Sequence, residues 1–135
     1  MDENERLIKI VTKQRTDGET EKIVMHTAAK ISGTGDEYSI TYRDDDGDLE
    51  GCETTLRISR GRRISISRRG PYSSHIIIEK NVRHLSHHET PVGSFIMGMS
   101  CNEINSDFES GRLSFSYATD IEMVPIGEIE FDFEF

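Results

Sequence analysis

Tryptophan is absent from this 135-residue chain, cysteine occurs twice, proline three times, and the hydrophobic residues make up only 34%. No apolar run approaches the roughly 18 residues that a membrane-crossing helix needs. The start, Met1-Asp2-Glu3-Asn4-Glu5, has neither the basic nor the apolar region of a secretory signal, so the expected compartment is the cytoplasm. There, Cys52 and Cys101 are expected as two small buried or half-buried thiols rather than a disulfide. Positive charge is short as well: 16 Lys and Arg against 25 Asp and Glu leave a formal charge of -9. Binding along a phosphate backbone needs an excess of cations, so a general DNA-binding role is excluded. Chemistry-bearing motifs are equally scarce. Neither cysteine lies in a motif, no glycine-rich phosphate loop opens a helix, and no Gly-x-Ser-x-Gly elbow occurs. The sequence therefore offers no catalytic residue, resident metal or cofactor, and predicts a protein that is not an enzyme.

What is present is alternation. The last nine residues, Gly127 to Phe135, place Ile129, Phe131, Phe133 and Phe135 at every second position, with Glu128, Glu130, Asp132 and Glu134 between them. Successive strand side chains point to opposite faces, so this is a strand with one aromatic and one carboxylate face. The same period runs through Ile23, Met25, Thr27, Ala29 and Ile31, and through Tyr38, Ile40 and Tyr42. Leu56 and Ile58 resume it before a tight turn at Arg60-Gly61, and Ile64 and Ile66 carry it back. His75 to Glu79 reads as a β-branched strand, Leu7 to Val11 leans the same way, and Phe95, Met97 and Met99 share one face. Leu113, Phe115, Tyr117, Ile121 and Met123 keep one parity until Pro125, which is expected to break the run. Residues 82 to 89 carry the weakest pattern.

Eight to ten short strands with no helix predict an all-β fold, a single antiparallel meander that closes into a barrel over residues 1–135. Its interior is expected to hold Ile23, Met25, Tyr38, Ile40, Leu56, Ile58, Ile64, Ile66, Phe95, Met97, Leu113, Phe115, Tyr117, Ile129, Phe131 and Phe133. A barrel of about eight strands has room inside for side chains or one small ligand.

Between Glu53 and Glu79 there is no acid, while Arg57, Arg60, Arg62, Arg63, Arg68 and Arg69 all fall there. Arg63, Ser65, Ser67 and Arg69 share the face opposite Ile64 and Ile66, and Arg57 and Ser59 do the same opposite Leu56 and Ile58. Such a face suits a phosphorylated ligand or an RNA backbone, because guanidinium groups bind oxyanions in a planar, bidentate manner. The plainer expectation is that these arginines answer the carboxylates of the terminal strand across the barrel wall.

His84, His87 and His88 would share one face of a helix and suit zinc, but on a strand His87 points away, so solvent-facing histidines are the expectation. Asp44, Asp46, Gly47 and Glu53 match four positions of a calcium loop, but Tyr42 stands where the first ligand belongs and the flanks read as strands. An acidic turn is the better reading.

Residues 89 to 117 resemble the YwiB-like family of uncharacterised bacterial proteins, carried by Thr90-Pro91-Val92-Gly93, Ile104, Phe108, Gly111, Leu113, Phe115 and Tyr117. The earlier hairpins fit the same layout. The resemblance implies a lipocalin-like, calycin-type barrel from a bacterial cytoplasm and brings no functional residues with it. The family's central hairpin is less arginine-rich than Arg57 to Arg69 here.

Function is thus expected to be binding. The first reading is a small apolar or anionic ligand in the barrel mouth, met by Tyr38, Tyr42, Met97, Met99, Phe115 and Tyr117. The alternative is a protein or RNA partner on Arg57, Arg63 and Arg69.

Overall fold

The computed structural model describes residues 4–44, 51–71, 73–90 and 93–135. Its ten strands are β1 (Glu5–Thr16), β2 (Glu19–Gly33), β3 (Glu37–Arg43), β4 (Glu53–Ser59), β5 (Arg63–Arg69), β6 (Ser74–Glu79), β7 (Arg83–Thr90), β8 (Gly93–Asp107), β9 (Arg112–Ile121) and β10 (Val124–Glu134). Among the described residues there is no helix. The hairpin turns use the geometry that matches strand twist: Asp17-Gly18, Arg60-Gly61 and Glu122-Met123 all take positive φ. Met123 therefore leaves the inward row expected of it and is 71% exposed.

All pairings between strands are antiparallel, in the order β6-β5-β4-β3-β2-β1-β10-β9-β8-β7. This is a meander whose first and last strands pair, Ile10 standing opposite Phe133 and Thr12 opposite Phe131. The terminal strand thus joins the two chain ends, as the up-and-down order of a lipocalin-like barrel requires, and the weak point of the wall lies mid-chain. There β6 and β7 diverge after the Glu79–Val82 bridge. A Lys80–Cys101 bridge holds one end of this seam, and the Ser86 hydroxyl donates to the His75 carbonyl at 3.1 Å further along.

Pro125 does not end the last strand, because β10 absorbs it in an irregularity between Pro125 and Gly127, where no ladder N–H is needed. A second bulge, between Cys101 and Glu103 of β8, moves the inward row from odd to even residues, so that Ile104 is buried after Cys101.

The core follows the parity read from the sequence. Ile40, Leu56, Ile58, Ile64, Leu113, Phe115 and Phe133 are buried, joined by Ile8, Ile10, Ile31, Ile76, Ile78 and both cysteines, which are not joined in a disulfide. Ile23 is the exception, being 53% exposed although it keeps inward parity. The reason is strand length: β2 has 15 residues and β3 only seven, so β3 pairs with β2 from Ala29 to Gly33 and stops. The first half of β2 projects past it, with β1 alongside.

The expected pairing of arginines with the terminal carboxylates does not occur. β3, β2 and β1 stand between β4 and β10, so a charge on one strand is a quarter or more of the wall away from the other. The β10 carboxylates meet Arg15 (Glu128, 3.5 Å) and Arg112 (Asp132, 3.8 Å; Glu134, 3.3 Å) instead.

Candidate binding site at the open end of the barrel

One end of the barrel is plugged. The Tyr38 ring packs on Phe108 and Phe135 at centroid separations of 4.8 and 5.9 Å, and its hydroxyl shares a 2.6 Å hydrogen bond with Ser106. In the middle, Phe115 stacks against Phe131 at 5.2 Å, and Met99 is fully enclosed. Tyr38, Met99 and Phe115, grouped from sequence with the ligand residues, are therefore plug and filling. Tyr42, Tyr117 and Met97 do reach the opposite end.

That end is open because β3 to β6 are six or seven residues long, while β1, β2, β8, β9 and β10 have ten to fifteen. The long strands continue beyond the short ones with their inner faces partly uncovered. Met25, Met97 and Ile129 sit there, partly buried against the core, and Ile23 lies beyond Met25 along β2.

At the floor of this end lies a polar group that sequence reading passed over. Arg68 has the parity of Ile64 and Ile66, so its side chain enters the barrel between Thr54 of β4 and Ser74 of β5's other neighbour, β6. Its Nε is closed to solvent and has no hydrogen-bond partner among the described residues. The guanidinium acts on both neighbouring tyrosines. Burial pushes the Tyr42 hydroxyl up to about 12, against the pull of Arg68 and a hydrogen bond with Thr54, while Asp44 adds to the rise. Tyr117 is likewise pushed up to about 12 by burial and drawn down by Arg68. Both phenols are neutral at pH 7. Thr54 is itself buried, its hydroxyl donating to Asp44 at 3.4 Å.

The histidines fall on strand β7, where His87 is exposed, His84 meets Glu79 at 3.1 Å, and His88 turns inward to stack on Phe95 at 5.4 Å. Burial, and then the neighbouring His87, lower the pKa of His88. Its Nε2 is the second buried polar atom without a partner. Among the described residues, no three His, Cys, Asp or Glu side chains gather where a metal ion could sit. Most of the calcium-like loop, residues 45 to 50, lies outside the described residues.

The outward arginines have local partners in register. Arg69 stands opposite Glu53, which also meets Arg43 at 3.8 Å, and Arg63 stands opposite Glu79. The two acids that bracket the acid-free stretch are thus the ones facing its arginines. Arg57 differs, with Ser39 and Ser65 on either side, in a field of hydroxyls where Thr41 bonds Thr55 at 3.2 Å and Ser67 bonds His75 at 2.8 Å.

Three surface concavities are lined chiefly by outward residues; one, of about 280 Å³, lies over Lys13, Arg15, Ser100, Asn102, Ser116 and Glu128. No helix of the described chain is long and apolar enough to cross a membrane.

Residues 8–133 match a family model described as a domain of unknown function (DUF1934). A solved structure, the ywiB protein from Bacillus subtilis, superposes with a TM-score of 0.71 at 19% identity, covering 98% of this chain and 93% of that one. At that identity the likeness speaks for the barrel alone. No curated protein matches the chain.

Proposed function

Because the chain belongs to the domain of unknown function (DUF1934) family, which brings a fold and no activity, we propose from the open end that this is a non-enzymatic binding module for a small, largely apolar molecule. One observation carries the reading: the long strands outrun β3 to β6 and leave Ile23, Met25, Met97 and Ile129 with a partly uncovered inner face. Apolar surface left facing water forgoes about 25 cal/mol for each Å² that a ligand would cover. Met25 and Met97 suit a variable occupant, since their unbranched chains repack at little cost. Cys52 and Cys101, buried and not joined in a disulfide, accord with a reducing bacterial cytoplasm. Against a lipid-facing wall stand the charges on its outer side, such as Lys13, Arg15, Glu128 and Glu130.

The test uses the neutral fluorophore N-phenyl-1-naphthylamine with the full chain. Its emission is expected to rise on binding, and Ile23→Glu should weaken that binding about tenfold or more while leaving the melting temperature unchanged, because Ile23 supports no packed core. An emission unchanged by the unmutated protein overturns the reading.

A second reading is a protein or RNA partner on the outer face of β3 to β6. Arg57 favours it, having hydroxyls and no carboxylate opposite it in register. RNA affinity that falls with salt, and falls again in Arg57→Ala, Arg63→Ala and Arg69→Ala, would support its RNA form. No salt-dependent binding in the unmutated protein removes that form.

A further inference from the structure

Resting on the reading of the open end as a binding site, we infer that Arg68, with the hydroxyls of Tyr42 and Tyr117, forms a seat for an oxyanion, so that the ligand is an amphiphile with a carboxylate or phosphate head.

Arg68 is the anomaly from which this follows. The arginines on the outer face of the same strand stand opposite acids, Glu53 and Glu79, whereas Arg68 has Thr54 and Ser74 opposite it. Among the described residues no carboxylate lies within ion-pair distance of it, and its Nε is enclosed without a hydrogen bond. An enclosed N–H without an acceptor is costly, and the cost disappears when an anion accepts from it. Its neighbours are arranged for the same purpose. Tyr42 and Tyr117 remain protonated at neutral pH and are able to donate.

Arg68 Nε and the two tyrosine hydroxyls thus form the polar floor of the open end. Above them rise Met97, Met25 and Ile129, which would hold an apolar tail. Asp44, which accepts from Thr54 at 3.4 Å and adds to the rise of Tyr42, places a negative charge beside the seat that opposes an anion there.

Three ligands with the same eight-carbon tail separate the head from the tail: octanoate, octyl phosphate and octanol, each titrated calorimetrically into the full-length protein. Octanoate or octyl phosphate is expected to bind at least about tenfold more tightly than octanol. Arg68→Met should bring both anions to the octanol value and leave octanol unchanged, Asp44→Asn should tighten the anions, and which anion binds better identifies the head. Should Arg68→Met fail to fold, the Arg68 Nε–H resonance of the unmutated protein gives the answer, since octanoate must shift it and octanol must not. Equal affinity for anions and alcohol overturns the oxyanion seat while the open-end reading stands. Failure of all three to bind overturns both.

Discussion

Arg83 of β7 reaches across β8 to Asp120 of β9, its Nε and Nη2 donating to the two carboxylate oxygens at 3.0 and 2.6 Å. The pair crosses directly over Gly98. A Cβ built on Gly98 would stand 2.5 to 2.6 Å from the guanidinium and from Asp120 Oδ2, so the glycine leaves the space in which the bridge forms. A bidentate pair of this kind ties three strands together beside the seam.

Gly98→Ala is therefore expected to displace the pair. Its effect and that of Arg83→Ala should be non-additive, the double variant being scarcely less stable than the worse single one. Urea unfolding of the four proteins measures this, and simple additivity would show that the glycine serves another purpose.

The hydrogen bonds from Arg83 hold the Asp120 carboxyl below the usual carboxylate range. A depressed folded pKa contributes stability above the unfolded value of about 3.9, which is lost as pH falls through the folded value. The stability difference between the protein and Asp120→Asn should accordingly be full at pH 6 and shrink below pH 4. A difference constant from pH 6 to pH 2 contradicts the bridge.

Tyrosine ionisation, followed by absorbance near 295 nm, should show Tyr42 and Tyr117 titrating near 12, with Tyr38 also raised by its burial. Because their folded values lie above the unfolded one, they stabilise the fold fully below about pH 10, and that stability is lost as pH rises through 12. Arg68→Met should move both titrations higher still, since the guanidinium draws them down. A fall in either would remove Arg68 from their surroundings.

Phe133 is completely buried on β10 and stands opposite Ile10 of β1, where the two chain ends meet. Phe133→Ala should cost about 3–5 kcal/mol. Glu134→Ala, which alters only an exposed ion pair with Arg112, should cost under about 1 kcal/mol. Denaturant midpoints distinguish the two, and equal losses would mean that the β1–β10 junction is not the packed core described.

Ser86 is buried and bonds the His75 carbonyl across the seam where β6 and β7 lack a backbone ladder. Removing its hydroxyl leaves that carbonyl without the bond, at about 1 kcal/mol. In Ser86→Ala, amides of β6 and β7 should exchange faster while those of β1 and β10 keep their rates. Uniform acceleration would argue that the seam is no separate opening unit.

The local rule behind the fold is visible residue by residue. Side chains alternate on an extended chain, so Ile40, Leu56, Ile64 and Phe133 announce their inward direction without reference to any other strand. Arg68 obeys the same rule, with the parity of Ile64 and Ile66, but reading residues 57 to 69 as one surface charge run hid it. Ile23 shows the limit of parity: it points inward as its pattern predicts, yet whether anything covers it depends on where β3 ends.

By itself, then, the sequence determined strand after strand, the two faces of each, and the hairpin turns between neighbours, because these depend on backbone pleat and on residues a few positions apart. Only the tertiary structure decided that the terminal carboxylates answer Arg15 and Arg112 rather than the arginine hairpin, that the wall parts between β6 and β7, and that Arg68 comes beside Tyr42 and Tyr117 beneath an open end. Those outcomes rest on the lengths and registers of strands far apart in the chain, which no local period encodes.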